Sequence, residues 1–332
     1  MRRILLARLH SLGDVVLSTG IAARVAGVEG ARVEILTLPA FRPLFAGLPV
    51  AAIWDPATLP RKAGSFDRVI DLQASATSRR ILRGLGPPAR CRSRSAARRW
   101  VVLWGDRPPR PAIPHAVVRY AEAAGMAGEP VSRLRPTVQV TEEEQAEARR
   151  RFPAAWERTA RPCAALATGA SRAMKRWPED RFEAVARALE AEGWSTIRLD
   201  PPRSGAGRTL GTGQVDADGY GEEPGRVRAP LGPLKAILAR CRALVSNDSG
   251  VMHLGAGLGV PVVALFGSTS PVFGFAPLGP RDRVLGRPLE CRPCAAHGAR
   301  FCWLGHRRCL EEIQAGEVAT AAAAILRERS PR

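Results

Sequence analysis

Short apolar runs alternate along this chain with stretches of helical spacing, and that alternation restricts the fold more than any other feature. Ile4–Leu9 reads as a buried strand and is followed by a helix-like stretch, Val15–Ala26. Val33–Leu38 runs through Pro39 and Pro43 into a loop. Val69–Leu72 is a further strand with a basic helix, Ser78–Leu85, behind it, and Ala116–Ala124 is helical up to Gly125. The Arg- and Pro-rich segment 87–114 carries no clear period. A change of character follows at Thr141, an N-cap trailed by Glu142, Glu143 and Glu144. The alternation then restarts with Cys163–Ala167. Pro178-Glu179-Asp180 opens a helix with acids at its positive end and Phe182, Val185, Ala186 and Leu189 on one face. Thr196–Leu199, Leu234–Arg240, Ala243–Val245, Val251–Leu258 and Val262–Phe266 continue the pattern. The expectation is an α/β protein of two αβ halves, 1–140 and 141–332, with the ligand site in a cleft between them, since open sheets of this type bind at the carboxyl ends of their strands.

Length and composition agree with this. A chain of 332 residues suits two ordinary domains, and 45% hydrophobic residues exclude wholesale disorder. No run of about 18 apolar residues exists to cross a bilayer. Met1-Arg2-Arg3 ahead of Ile4-Leu5-Leu6 has the look of a leader, but Arg8, His10 and Asp14 interrupt the apolar stretch. A cytoplasmic protein is expected. The formal charge of +19 is nearly all arginine, the lysines being Lys62, Lys175 and Lys235. Attraction to polyanions and a compositional drift towards Arg both explain it. Only 5% of residues are aromatic, which argues against nucleic acid as partner.

Three segments carry candidate chemistry. Asp14, in Leu12-Gly13-Asp14-Val15, sits where it can take a proton from a substrate hydroxyl, although an Asp there also suits helix capping. Thr168-Gly169-Ala170-Ser171 leads to Lys175 just ahead of a helix, which suits a diphosphate and equally suits an exposed basic loop. Ser246-Asn247-Asp248-Ser249-Gly250-Val251-Met252-His253, with Gly255, Gly257 and Gly259 behind it, turns from a buried strand into a helix of small residues. There Asp248 suits sugar hydroxyls, and the Ser249 and Gly250 amides suit an anion. For His253 a partly buried structural histidine is the plain alternative.

Together these segments resemble the lipopolysaccharide heptosyltransferases of glycosyltransferase family 9, which adopt the GT-B fold of two Rossmann-like domains with a central cleft. The resemblance runs through LARLHSLGDVVLST at 6–19, FDRVIDLQASATSRRIL at 66–82, HAVVRYAEAAGM at 115–126 and KRWPEDRFEAVARAL at 175–189. It ends on its most specific stretch, SNDSGVMHLGAGLGVPVVALFGSTSP at 246–271.

That resemblance implies an inverting transfer of heptose from ADP-heptose to the phosphorylated Kdo/heptose–lipid A core, without a catalytic cofactor. Asp14 matches the general base, and Ser171 and Lys175 the loop that holds the donor diphosphate. Asp248 matches the residue on the transferred heptose, Ser249 and Gly250 the phosphate-facing turn, and His253 the motif histidine. Arg61, Lys62, Arg79, Arg80 and Arg83 fall where the family presents positive charge to its anionic acceptor. The resemblance further implies a monomer, cytoplasmic and peripheral to the inner membrane, whose last helix returns across the first domain. The segment 200–230 departs from the family, leaving two alternatives: a catalytically silent nucleotide-sugar-binding protein, and a family transferase with another donor sugar. Asp216-Ala217-Asp218 spells a DxD motif, read as chance because no strand flanks it.

Cys291, Cys294, Cys302 and Cys309 crowd one short stretch with His297 and His306. In a cytoplasmic protein such spacing points to a structural zinc ahead of reduced thiols or a disulfide.

Overall fold

The computed structural model describes residues 1–105, 108–201 and 219–328. The chain divides into two compact units: Met1–Ser95 with Ala112–Gln139, and Ala96–Pro111 with Val140–Arg332. Residues 96–111 thus group with the second unit, whereas the division at 140 read from sequence leaves them in the first half. The DxD triplet and most of the 200–230 departure fall outside the described residues.

In the first unit, β1 (Arg2–Ala7) leads into α1 (Leu12–Ala26) and β2 (Ala31–Leu36). β3 (Ala52–Trp54), β4 (Arg68–Asp71), α2 (Ala76–Ile81) and β5 (Pro88–Arg90) follow. The strands form one parallel sheet in the order β3-β2-β1-β4-β5, with Leu5 of β1 opposite Glu34 on one side and Val69 on the other. Because β1 is central, its run of Leu5, Leu6 and Ala7 is fully buried. α1 buries Val15, Val16, Leu17, Ile21, Ala22 and Val25. Gly20 is obligatory there, since a Cβ would stand 2.1 Å from the carbonyl oxygen of Arg135. The basic helix expected over Ser78–Leu85 is α2, which starts earlier because Ser75 and Ser78 close a capping box. α3 (Ser95–Trp104), which groups from Ala96 on with the second unit, occupies the segment that showed no period, and α4 (Ala116–Ala124) packs on α1.

Beyond α3 the second unit continues with α5 (Glu142–Arg151), whose expected N-cap Thr141 forms a capping box with Glu144, and α6 (Pro153–Arg158). β6 (Cys163–Ala167), α7 (Glu179–Ala191) and β7 (Ser195–Leu199) follow, then a hairpin of β8 (Gly221–Glu223) and β9 (Arg226–Arg228). α8 (Leu231–Ala239), β10 (Ala243–Asn247), α9 (Gly250–Gly257), β11 (Val262–Phe266), β12 (Arg283–Gly286), α10 (Arg308–Glu311) and α11 (Ala315–Arg327) complete it. The sheet runs β12-β11-β10-β6-β7-β9-β8 and is parallel except for the hairpin. Counting the hairpin as one position, both units share the doubly wound strand order, with the first strand of each unit beside the fourth.

α11 seats Val318, Ala322, Ile325 and Leu326 in one cluster with Phe182, Val185 and Leu189 of α7 and Val245 of β10. Its small-residue face fits that surface closely, so it belongs to the core of the second unit.

Candidate active site

Each unit carries candidate chemistry at the carboxyl edge of its sheet. In the first unit, Ser11 occupies the N-cap position of α1 without a side-chain cap bond, and Asp14 lies in the first turn. The Asp14 carboxylate is held from three directions. Arg8 approaches Oδ2 at 2.6 Å, Ser11 Oγ donates to Oδ2 at 3.1 Å, and Tyr120 Oη donates to Oδ1 at 2.8 Å. Arg8 in turn donates to the Leu72 carbonyl and lies over the Tyr120 ring. Tyr120 is buried, and burial pushes its ionisation well above the ordinary phenol value, so it stays protonated and donates to Asp14. A carboxylate fixed this way is oriented more firmly than helix capping requires.

Adjacent β4 ends on a turn in which Ala74 adopts φ +51°. Buried Asp71 stabilises that strained residue by accepting the amides of Gln73 and Ala74, and Ser78 Oγ completes the cage. Gln73 then reaches the His10 ring at 3.1 Å, joining the β4 turn to the β1 turn that carries Asp14. The proposed acceptor residues surround the helix after this turn. Arg79 and Arg83 line a groove of about 290 Å³ with Asp71 and Arg90. Arg61 bonds the Pro56 and Ile81 carbonyls instead, while Lys62 and Arg80 are exposed.

In the second unit, Lys175 Nζ stands 2.8 Å from Asp248 Oδ2, with both side chains nearly buried. Thr269 Oγ1 donates to the same carboxylate oxygen at 2.6 Å. Asp248 follows β10 and Thr269 follows β11, so neighbouring strand ends deliver the pair. Asn247 at the end of β10 is fully buried; its amide donates to the Thr168 carbonyl and its oxygen accepts the Trp177 amide. It thereby ties the loop after β6 to the approach of α7, with Lys175 between them. Ser249 is the N-cap of α9 and makes no side-chain cap bond, so the first amides of Gly250–Gly257 have no capping oxygen from it. His253 is buried one turn into that helix, and Ser171 is exposed. Gly255 packs closely on β10: a Cβ there would meet the Leu244 Cδ2 methyl at 2.5 Å and displace it.

Sequence reasoning missed Arg8, Tyr120 and Asn247. A polar residue closing the buried strand 243–247 was a usable signal for Asn247. None existed for Tyr120, which lies far along the chain from Asp14.

The cysteine loop lies beneath the Lys175–Asp248 pair. Cys294 N donates to the Ser268 carbonyl, Ala299 N to Ser268 Oγ, and Met174 N to the Ala299 carbonyl. Arg292, itself buried, donates to the Thr269 carbonyl at 2.7 Å. Gly298 has φ +86°, and a Cβ there would stand 2.5 Å from Lys175 Cδ. All seven cysteines are free thiols, with Cys91, Cys163, Cys241 and Cys309 buried. Burial pushes Cys309 up to about 11, whereas the Arg307 amide and its neighbours lower Cys302. Cys291 Sγ is 3.9 Å from His306 Nε2, but among the described residues no three Cys, His, Asp or Glu side chains group as metal ligands.

Among known proteins, lipopolysaccharide heptosyltransferase 1 of Pseudomonas aeruginosa is 29% identical over 329 residues, covering 88% of this chain and 86% of that one. The solved E. coli ADP-heptose LPS heptosyltransferase II has a TM-score of 0.68 at 22% identity, spanning 98% of both chains. E. coli heptosyltransferase WaaC, solved with ADP, has a TM-score of 0.63 at 18% identity over 97% of this chain and 99% of that one. These likenesses place the two Rossmann-like units in the GT-B fold class. The family model described as glycosyltransferase family 9 (heptosyltransferase) matches residues 61–303. This chain belongs to glycosyltransferase family 9, the heptosyltransferases, and is a glycosyltransferase.

Proposed function

We propose that this enzyme moves heptose from ADP-heptose to the Kdo/heptose–lipid A core of lipopolysaccharide in one inverting displacement. The observation that carries the reading is the Lys175–Asp248–Thr269 cluster beside the amide-bearing start of α9. A cation and open helix amides suit a pyrophosphate, and a carboxylate next to them suits sugar hydroxyls. Lys175 has three donors, of which Asp248 takes one, so the ammonium can hold the sugar-facing carboxylate and the departing diphosphate together. Asp14 is the general base that takes the acceptor hydroxyl proton as its oxygen attacks the anomeric carbon. The leaving charge on ADP is offset by Lys175 and the α9 amides. Arg79, Arg80, Arg83, Arg61 and Lys62 supply the positive surface for the anionic core, with Ser171 and His253 flanking the donor.

The named P. aeruginosa and E. coli relatives support donor and acceptor. Among the described residues no helix is long and apolar enough to cross a membrane. We propose that the enzyme works as a peripheral monomer at the cytoplasmic face of the inner membrane, where it would meet a lipid-borne acceptor. The test is a mass spectrum of the product formed from ADP-heptose and a panel of truncated cores. One added heptose with stoichiometric ADP release is expected. ADP binding without release on any core would make the chain a silent binding protein, and turnover with another nucleotide sugar alone would change the donor. Lys175→Ala is expected to weaken ADP binding about 10- to 100-fold by calorimetry. An unaltered affinity removes Lys175 from the donor site.

For the cysteine loop we propose one structural zinc on Cys291, Cys294, Cys302 and Cys309. The sequence spacing of the four cysteines supports it, and residues 291–309 would have to draw in around the ion. Metal analysis of the purified chain should find about one zinc per molecule, lost in Cys291→Ser/Cys294→Ser. A zinc-free chain of full activity ends this reading.

A further inference from the structure

Residues 87–114 hold seven arginines, Arg90, Arg92, Arg94, Arg98, Arg99, Arg107 and Arg110, against the single acid Asp106. At the centre of this segment lies α3, and its apolar residues face the wrong way for a helix held by a core. Val101 is its one buried side chain, helped by Arg98, whose guanidinium lies 5.1 Å over the Phe275 ring. The opposite arc carries Ala96, Arg99 and Leu103, with half-buried Trp100 and the helix-end Trp104 at its margin. Leu103 is 69% exposed and Trp104 is 74% exposed. Water alone gives no reason for a leucine and a tryptophan to stand side by side in the open within a cationic segment.

We propose that the outward face of α3 docks on an anionic lipid surface. Trp and Leu are the side chains that enter the headgroup–acyl boundary, and flanking arginines pair with lipid phosphates. Arg92 and Arg99 are exposed beside that face. The complementarity selects the occupant: a net charge of this sign and density favours an anionic bilayer over a neutral one or an apolar protein groove. A ten-residue helix of this kind lies in the interface plane and does not span. The proposal deepens the reading of a lipid-borne acceptor.

The experiment is flotation of the full chain with vesicles of phosphatidylcholine alone or with about a third phosphatidylglycerol, without donor or acceptor. Binding only to the anionic vesicles, weakening with salt, is expected. Leu103→Ser/Trp104→Ser should reduce it about 10- to 100-fold, with the thermal melt unchanged because both side chains are exposed. Arg92→Glu/Arg99→Glu should abolish the preference for anionic lipid while keeping the fold. Equal binding to both vesicle types, or unaltered binding by the Leu103/Trp104 variant, overturns the proposal. So does a lipid-free dimer that this variant converts to monomer, because the face would then cover a second copy. As the vesicles carry no substrate, loss of sugar transfer and loss of lipid binding are separate results.

Discussion

An Asp14→Asn chain is expected to bind ADP as the parent does and to turn over about 10²–10⁴ times more slowly. Asparagine keeps the shape and the oxygen that accepts from Tyr120, at 2.8 Å in the parent. It removes the basic carboxylate that takes the acceptor proton, and turns an amide donor towards Arg8, which now faces a carboxylate oxygen at 2.6 Å. The residues proposed for the diphosphate all belong to the second unit, so calorimetric ADP affinity should move little. Tyr120→Phe is the companion measurement. Tyr120 is a positioning residue, and losing its donor removes support for the charged carboxylate. The acid limb of the pH–rate profile should move to higher pH, with turnover falling about tenfold. If Asp14→Asn turns over at the parental rate, the base is elsewhere and the Arg8–Tyr120 clamp is structural.

What the sequence revealed and what it concealed divide along physical lines. Strands buried on both faces must be continuously apolar, so Cys163–Ala167 and Val262–Phe266 were readable end to end. Local chemistry marked α5 and α7, because capping groups lie within a few residues of the ends they serve. Strand order left no such trace, and with it went Tyr120, which meets Asp14 only because α4 packs on α1. The hairpin β8–β9 was hidden by its charged, glycine-rich composition. α3 was hidden for a different reason: periodicity finds a stripe facing a core, and its larger apolar arc faces out. The cysteines were readable as a cluster, but their support of Lys175 through Gly298 and Ala299 was not. Binding residues announced themselves as motifs, while the residues that aim them did not.

The largest loss of stability is expected from Glu144→Ala, about 3–5 kcal/mol. Lys235 is fully buried on α8, and its ammonium meets Glu144 Oε1 at 2.7 Å. Gly232 lets the glutamate stem approach, as a Cβ there would already touch Glu144 Cγ at 3.3 Å. The other carboxylate oxygen accepts the Thr141 amide at 3.0 Å, so one side chain both closes the cap of α5 and fastens α5 to α8. Truncating it deprives a buried cation of its carboxylate and opens the cap, which should lower the melting temperature by about 6–20 °C. Burial already holds Lys235 below the ordinary lysine value of 10.5, with Glu144 pulling it part of the way back. The unfolded chain therefore binds this proton more tightly than the native one, and stability tied to the group rises with pH through the window below 10.5. Removing Glu144 extends that window downward, so the deficit should be largest near neutrality and shrink towards pH 10. Glu144→Gln/Lys235→Met keeps an acceptor for Thr141 and replaces the cation by an apolar chain, and should recover most of the loss. Urea melts of the three chains decide the matter: a deficit independent of pH, or a double variant no better than Glu144→Ala, would mean that the cap alone carries the effect.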